Sequence, residues 1–118
     1  MTMLAGAVAL VLQTSAAHAQ NAAAGAGVFA QCEVCHSIDG SNGVGPSLKG
    51  VVGRTAGTAP GFDFSPAFKA VAKPWDAKSL DAFIADPQKA VPGNVMSFVG
   101  IPEAKDRADL VAYLATLK

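Results

Sequence analysis

Charge and cysteine are both scarce in this chain. Of its 118 residues 15% are charged, nine Lys plus Arg balance nine Asp plus Glu, and there are two cysteines. Balanced charge with no long run of one sign excludes the electrostatic footprint of a nucleic-acid or membrane-surface binder. Two cysteines cannot build a disulfide framework, nor can they supply the roughly four ligands of a structural zinc site. No apolar run approaches the roughly twenty residues needed to span a bilayer. No cluster of titratable side chains points to acid–base or nucleophilic chemistry, so an enzyme with a substrate of its own is not expected. Neither an internal repeat nor a second domain is visible.

What is present begins with an export pattern. Met3 to Leu12 form a short apolar run, followed by small residues and Ala17-His18-Ala19, the shape of a secretory signal with its cleavage site. Cleavage is expected after Ala19, which divides the chain into a signal segment over 1–19 and one domain over 20–118. No Lys or Arg precedes the run, a departure from the usual signal that is consistent with a true start further upstream. Removing the segment also removes His18, Met1 and Met3, leaving His36 as the sole histidine and Met96 as the sole methionine.

Both cysteines then stand with that histidine in Cys32-Glu33-Val34-Cys35-His36. Two thiols three positions apart can each add to a vinyl group of one porphyrin, and the adjacent imidazole can reach the iron, so the motif points to covalent haem. A thioredoxin-like dithiol would follow a strand, whereas Ala22 to Gln31 reads as a helix. A Cys32–Cys35 disulfide would close too small a loop to constrain much of the chain, and it leaves His36 unexplained. On its own Met96 is better read as a filler of a core gap than as a ligand, but it lies in an irregular segment after the Pro92-Gly93 turn, which can lay backbone across a flat cofactor and shifts the reading towards a ligand.

The periodicity is helical. Asp76 is a good N-cap, and Leu80, Phe83 and Ile84 recur at three and four residues until Asp86-Pro87 stops the helix. A last helix is predicted from near Pro102, with Leu110, Leu114 and Leu117 on one stripe and Tyr113 beside it. Ser37 to Thr58, rich in glycine, has neither helical nor strand period and reads as a loop.

In their order, Gly25 and Phe29, Cys-Glu-Val-Cys-His, Gly45-Pro46-Ser47-Leu48, Gly53-Arg54 with Gly57, Pro60-Gly61-Phe62, Trp75, Pro92-Gly93-Asn94-Val95-Met96-Ser97-Phe98 and Arg107 to Leu114 resemble the small soluble class I cytochromes c, mitochondrial and bacterial periplasmic. The match runs from about Gly25 to Leu117. The resemblance implies an all-α fold wrapped around one haem c, with first and last helices crossing at Gly25 and packing Phe29, Leu110 and Tyr113. It implies thioethers at Cys32 and Cys35, His36 as proximal ligand and Met96 as distal ligand. The Pro46 carbonyl would accept from the other ring nitrogen of His36, and Arg54, Ser65, Trp75 and Asn94 would meet the haem propionates.

The function it implies is that of a monomeric periplasmic electron carrier, not an enzyme. Its donor would be a cytochrome bc1-type reductase of a respiratory chain, and its acceptor a terminal oxidase, reaction centre or periplasmic oxidoreductase. The second reading is a haem sensor or ligand-binding protein with a labile distal Met96. The chain departs from the mitochondrial pattern at Phe64 and Phe83, where tyrosines are frequent, and at Phe68, where Asn is common. Gln31, Gln88 and Val95 replace lysines of the docking ring while Lys89 and Lys105 remain, so partner rates are expected to depend weakly on salt.

Overall fold

The computed structural model describes residues 20–118; the expected signal segment and its cleavage site lie outside the described residues. Five α-helices follow in order: α1 Ala22–Val28, α2 Pro66–Val71, α3 Ala77–Ala85, α4 Pro87–Ala90 and α5 Ala104–Leu114. A 3-10 turn, Phe29–Gln31, continues α1. Among the described residues there is no strand beyond one isolated bridge between Thr55 and Pro74, so the fold is the expected all-α one.

Helix α1 starts where the Asn21 side chain accepts from the Ala24 N–H at 3.1 Å, satisfying one of the unpaired donors of its first turn. It crosses α5 at Gly25, as the resemblance implies. A Cβ at Gly25 would collide with the Asp109 carbonyl and stand 2.8 Å from the Tyr113 Cβ, so only glycine permits this approach. The rings of Phe29 and Tyr113 pack beside the crossing with centroids 5.2 Å apart. Asp109 is buried there, with Oδ1 accepting from the Asn21 backbone N–H at 2.9 Å and Oδ2 from Lys105 Nζ at 2.8 Å.

Helix α3 is opened by a reciprocal pair: Asp76 Oδ1 accepts from the Ser79 N–H at 2.7 Å, and Ser79 Oγ accepts from the Asp76 N–H at 3.0 Å. It closes at Asp86, whose carboxylate then accepts from the Lys89 N–H and caps α4. Leu80 and Ile84 of α3 meet Leu110, Val111 and Leu114 of α5, with Phe29, Val51 and Ile101 completing the core.

The start of α5 is two residues later than Pro102, its expected first helical position. Arg107 accounts for this: its Nη1 donates to the carbonyls of Ile101 and Pro102 at 2.9 and 2.8 Å, and its Nε donates to Asp81 at 2.8 Å. The Ile101-Pro102 backbone is thereby held to a side chain rather than to a helical ladder. Two short helices, α2 and α4, were not expected; each begins with proline at its first position behind a Ser65 or Asp86 cap. The stretch 37–58 is irregular throughout, as expected.

Candidate functional site

Beyond the 3-10 turn the chain keeps winding. Cys35 N–H donates to the Cys32 carbonyl at 3.1 Å and His36 N–H to the same carbonyl at 2.9 Å. Residues three and four apart in such a turn lie on one face, so Cys32, Cys35 and His36 are presented together. Both thiols are free. Burial, and then the neighbouring Cys35, push the Cys32 thiol up to about 11.

His36 is set by the loop that follows. Its Nδ1 lies 2.7 Å from the Pro46 carbonyl oxygen, which can only accept, so Nδ1 carries the proton and Nε2 keeps its lone pair. Burial lowers the imidazole pKa, outweighing the Pro46 bond, and the Arg54 charge lowers it further; the ring is held neutral. Gly45 lies flat against that ring: a Cβ there would stand 2.8 Å from Nδ1. The Gly45 N–H returns to the Cys35 carbonyl at 2.8 Å and fastens the loop to the cysteine turn.

These groups face a cavity of about 270 Å³. Cys32, Cys35, His36, Pro46, Arg54, Ser65, Trp75 and Met96 all line it, brought from the α1 extension, the 37–58 loop, the two ends of the α2 region and the segment before α5. Leu80, Ile84, Leu110 and Leu114 line it from the core side. Much of the remaining wall is aromatic, a run of neighbouring rings: Phe62–Phe64 at 4.9 Å, Phe64–Phe68 at 6.1 Å, Phe68–Phe83 at 5.5 Å and Phe83–Trp75 at 5.3 Å between centroids. This wall was not foreseen as a unit, since its members are scattered over 62–83; the spacing of Phe62, Phe64 and Phe68 was the available signal.

Arg54 is the one charged side chain among the lining residues. Its Nη1 donates to the carbonyls of Ser47 and Lys49 at 3.0 and 3.1 Å, and among the described residues no carboxylate pairs with it. Burial lowers its pKa. Trp75 is locked beside it by two backbone bonds, Trp75 N–H to the Arg54 carbonyl at 2.9 Å and Gly53 N–H to the Trp75 carbonyl at 2.7 Å. Ser65 caps α2, its Oγ accepting from the Phe68 N–H at 3.4 Å.

Asn94 departs from expectation. It does not line the cavity: it is buried behind the segment that carries Met96, with Nδ2 donating to the Pro87 and Val91 carbonyls at 2.9 and 2.8 Å. Its two amide hydrogens are spent on the backbone and none is left for a propionate.

The model of the family described as Cytochrome c matches residues 22–118. The chain belongs to the cytochrome c family. It is 44% identical over 110 residues to cytochrome c2 of Rhodomicrobium vannielii, covering 92% of this chain and 88% of that one. It is 51% identical over 86 residues to the cytochrome c-type cyt cy of Rhodobacter capsulatus, covering 73% of this chain but 43% of that longer protein. Among solved structures, cytochrome cH from Methylobacterium extorquens superposes with a TM-score of 0.79 at 49% identity, covering 81% of this chain and 98% of that one. Ferricytochrome c2 from Rhodopseudomonas palustris superposes with a TM-score of 0.78 at 40% identity, covering 84% and 100%.

Cytochromes c of this class bind haem c covalently and carry electrons; they are not enzymes. The cavity of this cytochrome c fits the group. Its wall combines two free thiols and a neutral imidazole on one turn, a thioether, an apolar and aromatic lining, and a cation without a carboxylate partner.

Proposed function

We propose that this cytochrome c is a diffusible periplasmic one-electron carrier in which haem c is joined to Cys32 and Cys35 and the iron is held by His36 and Met96. When bound, the haem supplies a one-electron couple at iron. The observation that carries the ligand assignment is the His36–Pro46 bond at 2.7 Å, which leaves Nε2 of a neutral ring as the donor while Met96 lines the same cavity. Pro46 fixes the tautomer and plane of the imidazole and makes it more basic towards a metal.

The other side chains shape the couple. Arg54 would neutralise a haem carboxylate that the apolar pocket otherwise solvates poorly, with Trp75 and Ser65 as neutral donors. Leu80, Leu110 and the aromatic run exclude water, which disfavours the more highly charged oxidised centre, and thioether ligation acts in the same direction. With His36 and Met96 both holding the iron, no position would be left open for a substrate.

The donor in this reading is a bc1-type reductase, and the acceptor is a terminal oxidase, reaction centre or periplasmic oxidoreductase. The relatives named cytochrome c2 support the carrier role, and the export pattern at 1–19 supports the compartment.

Absorption spectra of protein produced with haem-attachment machinery test the ligand set. The expected result is sharp haem c bands on reduction and, in the ferric form, the weak long-wavelength band of iron bound to methionine sulfur. Haem bands without that band, with rapid carbon monoxide binding to the ferrous form, would replace the carrier with a sensor or ligand-binding protein.

A further inference from the structure

We infer that Asn94 is a positioning residue for Met96, a strut that fixes the backbone of the distal segment to helix α4. The inference rests on the reading of Met96 as the distal ligand and adds a residue to it. Asn94 is 6% exposed, and each of its backbone and side-chain polar atoms has a partner. Besides the two carbonyls bonded by Nδ2, its Oδ1 accepts from the Met96 N–H at 2.9 Å, its N–H donates to the Val91 carbonyl at 3.2 Å, and its own carbonyl accepts from Gln88 Nε2 at 2.9 Å.

The bonds have a direction of support. Helix α4 is a single turn of four residues, too short to be stable through its own ladder, yet its first residue Pro87 is fully buried and anchors it in the core. The Asn94 carboxamide caps the carbonyls of that turn with its nitrogen and holds the Met96 N–H with its oxygen. Packing anchors the segment only beyond Met96, where half-buried Phe98 rests on the core and its N–H donates to the Met96 carbonyl at 3.0 Å; Val95 and Ser97, on either side of Met96, are exposed. On the side facing α4, the Asn94 hydrogen bonds therefore decide where residue 96 stands.

Only an amide meets all three partners, since it offers two donor hydrogens and one acceptor. A hydroxyl at position 94 keeps at most one donor and one acceptor. A carboxylate keeps the acceptor but faces two carbonyl oxygens with charge.

The test uses the haem-loaded protein and the variants Asn94→Ala, Asn94→Asp and Asn94→Ser, with Gln88→Ala removing the bond to the Asn94 carbonyl alone. Three readouts are taken: the ferric methionine-to-iron band, the temperature at which it disappears, and carbon monoxide affinity of the ferrous form. Leaving the Pro87 and Val91 carbonyls and the Met96 N–H short of partners should raise carbon monoxide affinity by roughly tenfold or more in Asn94→Ala and Asn94→Asp. The band should be lost at lower temperature than the helical signal, with smaller effects in Asn94→Ser and Gln88→Ala.

If Asn94→Ala yields no haem protein, Asn94→Ser decides. Unchanged band stability and carbon monoxide affinity in Asn94→Ser, or band and helix lost together at one lowered temperature, would reduce Asn94 to a purely structural residue and overturn the inference. Absence of the band in the unmodified protein would instead remove the ligand reading beneath it.

Discussion

Nδ1 of His36 lies 2.7 Å from the carbonyl oxygen of Pro46, and the residue before that proline, Gly45, lies flat against the imidazole. One loop thus controls both the protonation and the plane of the ring. Gly45→Ala drives a methyl group into the ring and rotates or displaces it. The expected outcome is retained haem attachment, a lowered reduction potential and an altered ferric spectrum, measured by redox titration. An unchanged potential would show that the ring is not constrained from this side.

Phe83 is buried between the rings of Phe68 and Trp75, where the aromatic run turns into the core. Phe83→Tyr adds a hydroxyl beside a pocket with few polar partners, and a hydroxyl so placed must find an acceptor or carry a desolvation cost of about 1–3 kcal/mol. It is expected to shift the reduction potential and the methionine band together. Spectra and potential both identical to those of the unmodified protein would refute the idea that this position tunes the iron.

Gly25→Ala tests the helix crossing. Forcing a methyl group against the Asp109 carbonyl should lower stability by about 1–3 kcal/mol or more. Denaturant unfolding reads this directly, and Gly27→Ala, where an added Cβ meets nothing within 4 Å, should not destabilise the fold.

Asp109 gives the pH dependence. The Lys105 ammonium and the Asn21 N–H hold its carboxyl below the usual carboxylate range. A depressed folded pKa contributes stability above the unfolded value of about 3.9, and that contribution is lost as pH falls through the folded value. Asp109→Asn should therefore melt at lower temperature than the unmodified protein at pH 7. The gap should close below about pH 4; a gap constant from pH 7 to pH 3 would assign the effect to packing instead.

At the mouth of the cavity Val44 and Val95 are 81% and 79% exposed, and Val34, two positions after Cys32, is 80% exposed. Exposed apolar groups at the rim of a site mark contact with a partner, and in a chain whose nine basic and nine acidic residues balance the encounter is not expected to be steered by long-range attraction. Electron transfer with a purified bc1-type reductase should change by less than about threefold between low and moderate salt. Val95→Lys should make the rate salt-dependent, and a steep dependence in the unmodified protein would contradict this account.

Much of this architecture is readable along the chain, and what is not has a physical cause. Helix α3 announces itself through the Asp76 cap and the spacing of Leu80, Phe83 and Ile84, and the crossing through Gly25. The four residues expected to hold the haem and its iron are legible because the chain has two cysteines in all and, outside the expected signal segment, one histidine and one methionine. Helices α2 and α4 are too short for periodicity to speak, and only the Ser65-Pro66 and Asp86-Pro87 pairs mark them. Asn94 was placed on the haem side because an amide next to a ligand looks like a donor to it. Which way that side chain turns depends on the carbonyls of α4, a helix invisible in the sequence. Likewise Arg107, which delays α5, acts through Asp81, 26 positions away.

The bond from the Asn21 N–H to Asp109 joins positions 88 apart, and the Gly25 crossing lies beside it. A contact of such separation carries a loop-closure entropy cost that slows folding. Leu110 and Leu114, part of the cavity wall, come from α5, the last helix in the chain. In the exported-carrier reading, Cys32 and Cys35 would emerge well before the C-terminal part of their pocket and would meet a haem as an open segment. Covalent capture there would give the last helix a prosthetic group to fold against, so attachment and folding would be one assembly event rather than two.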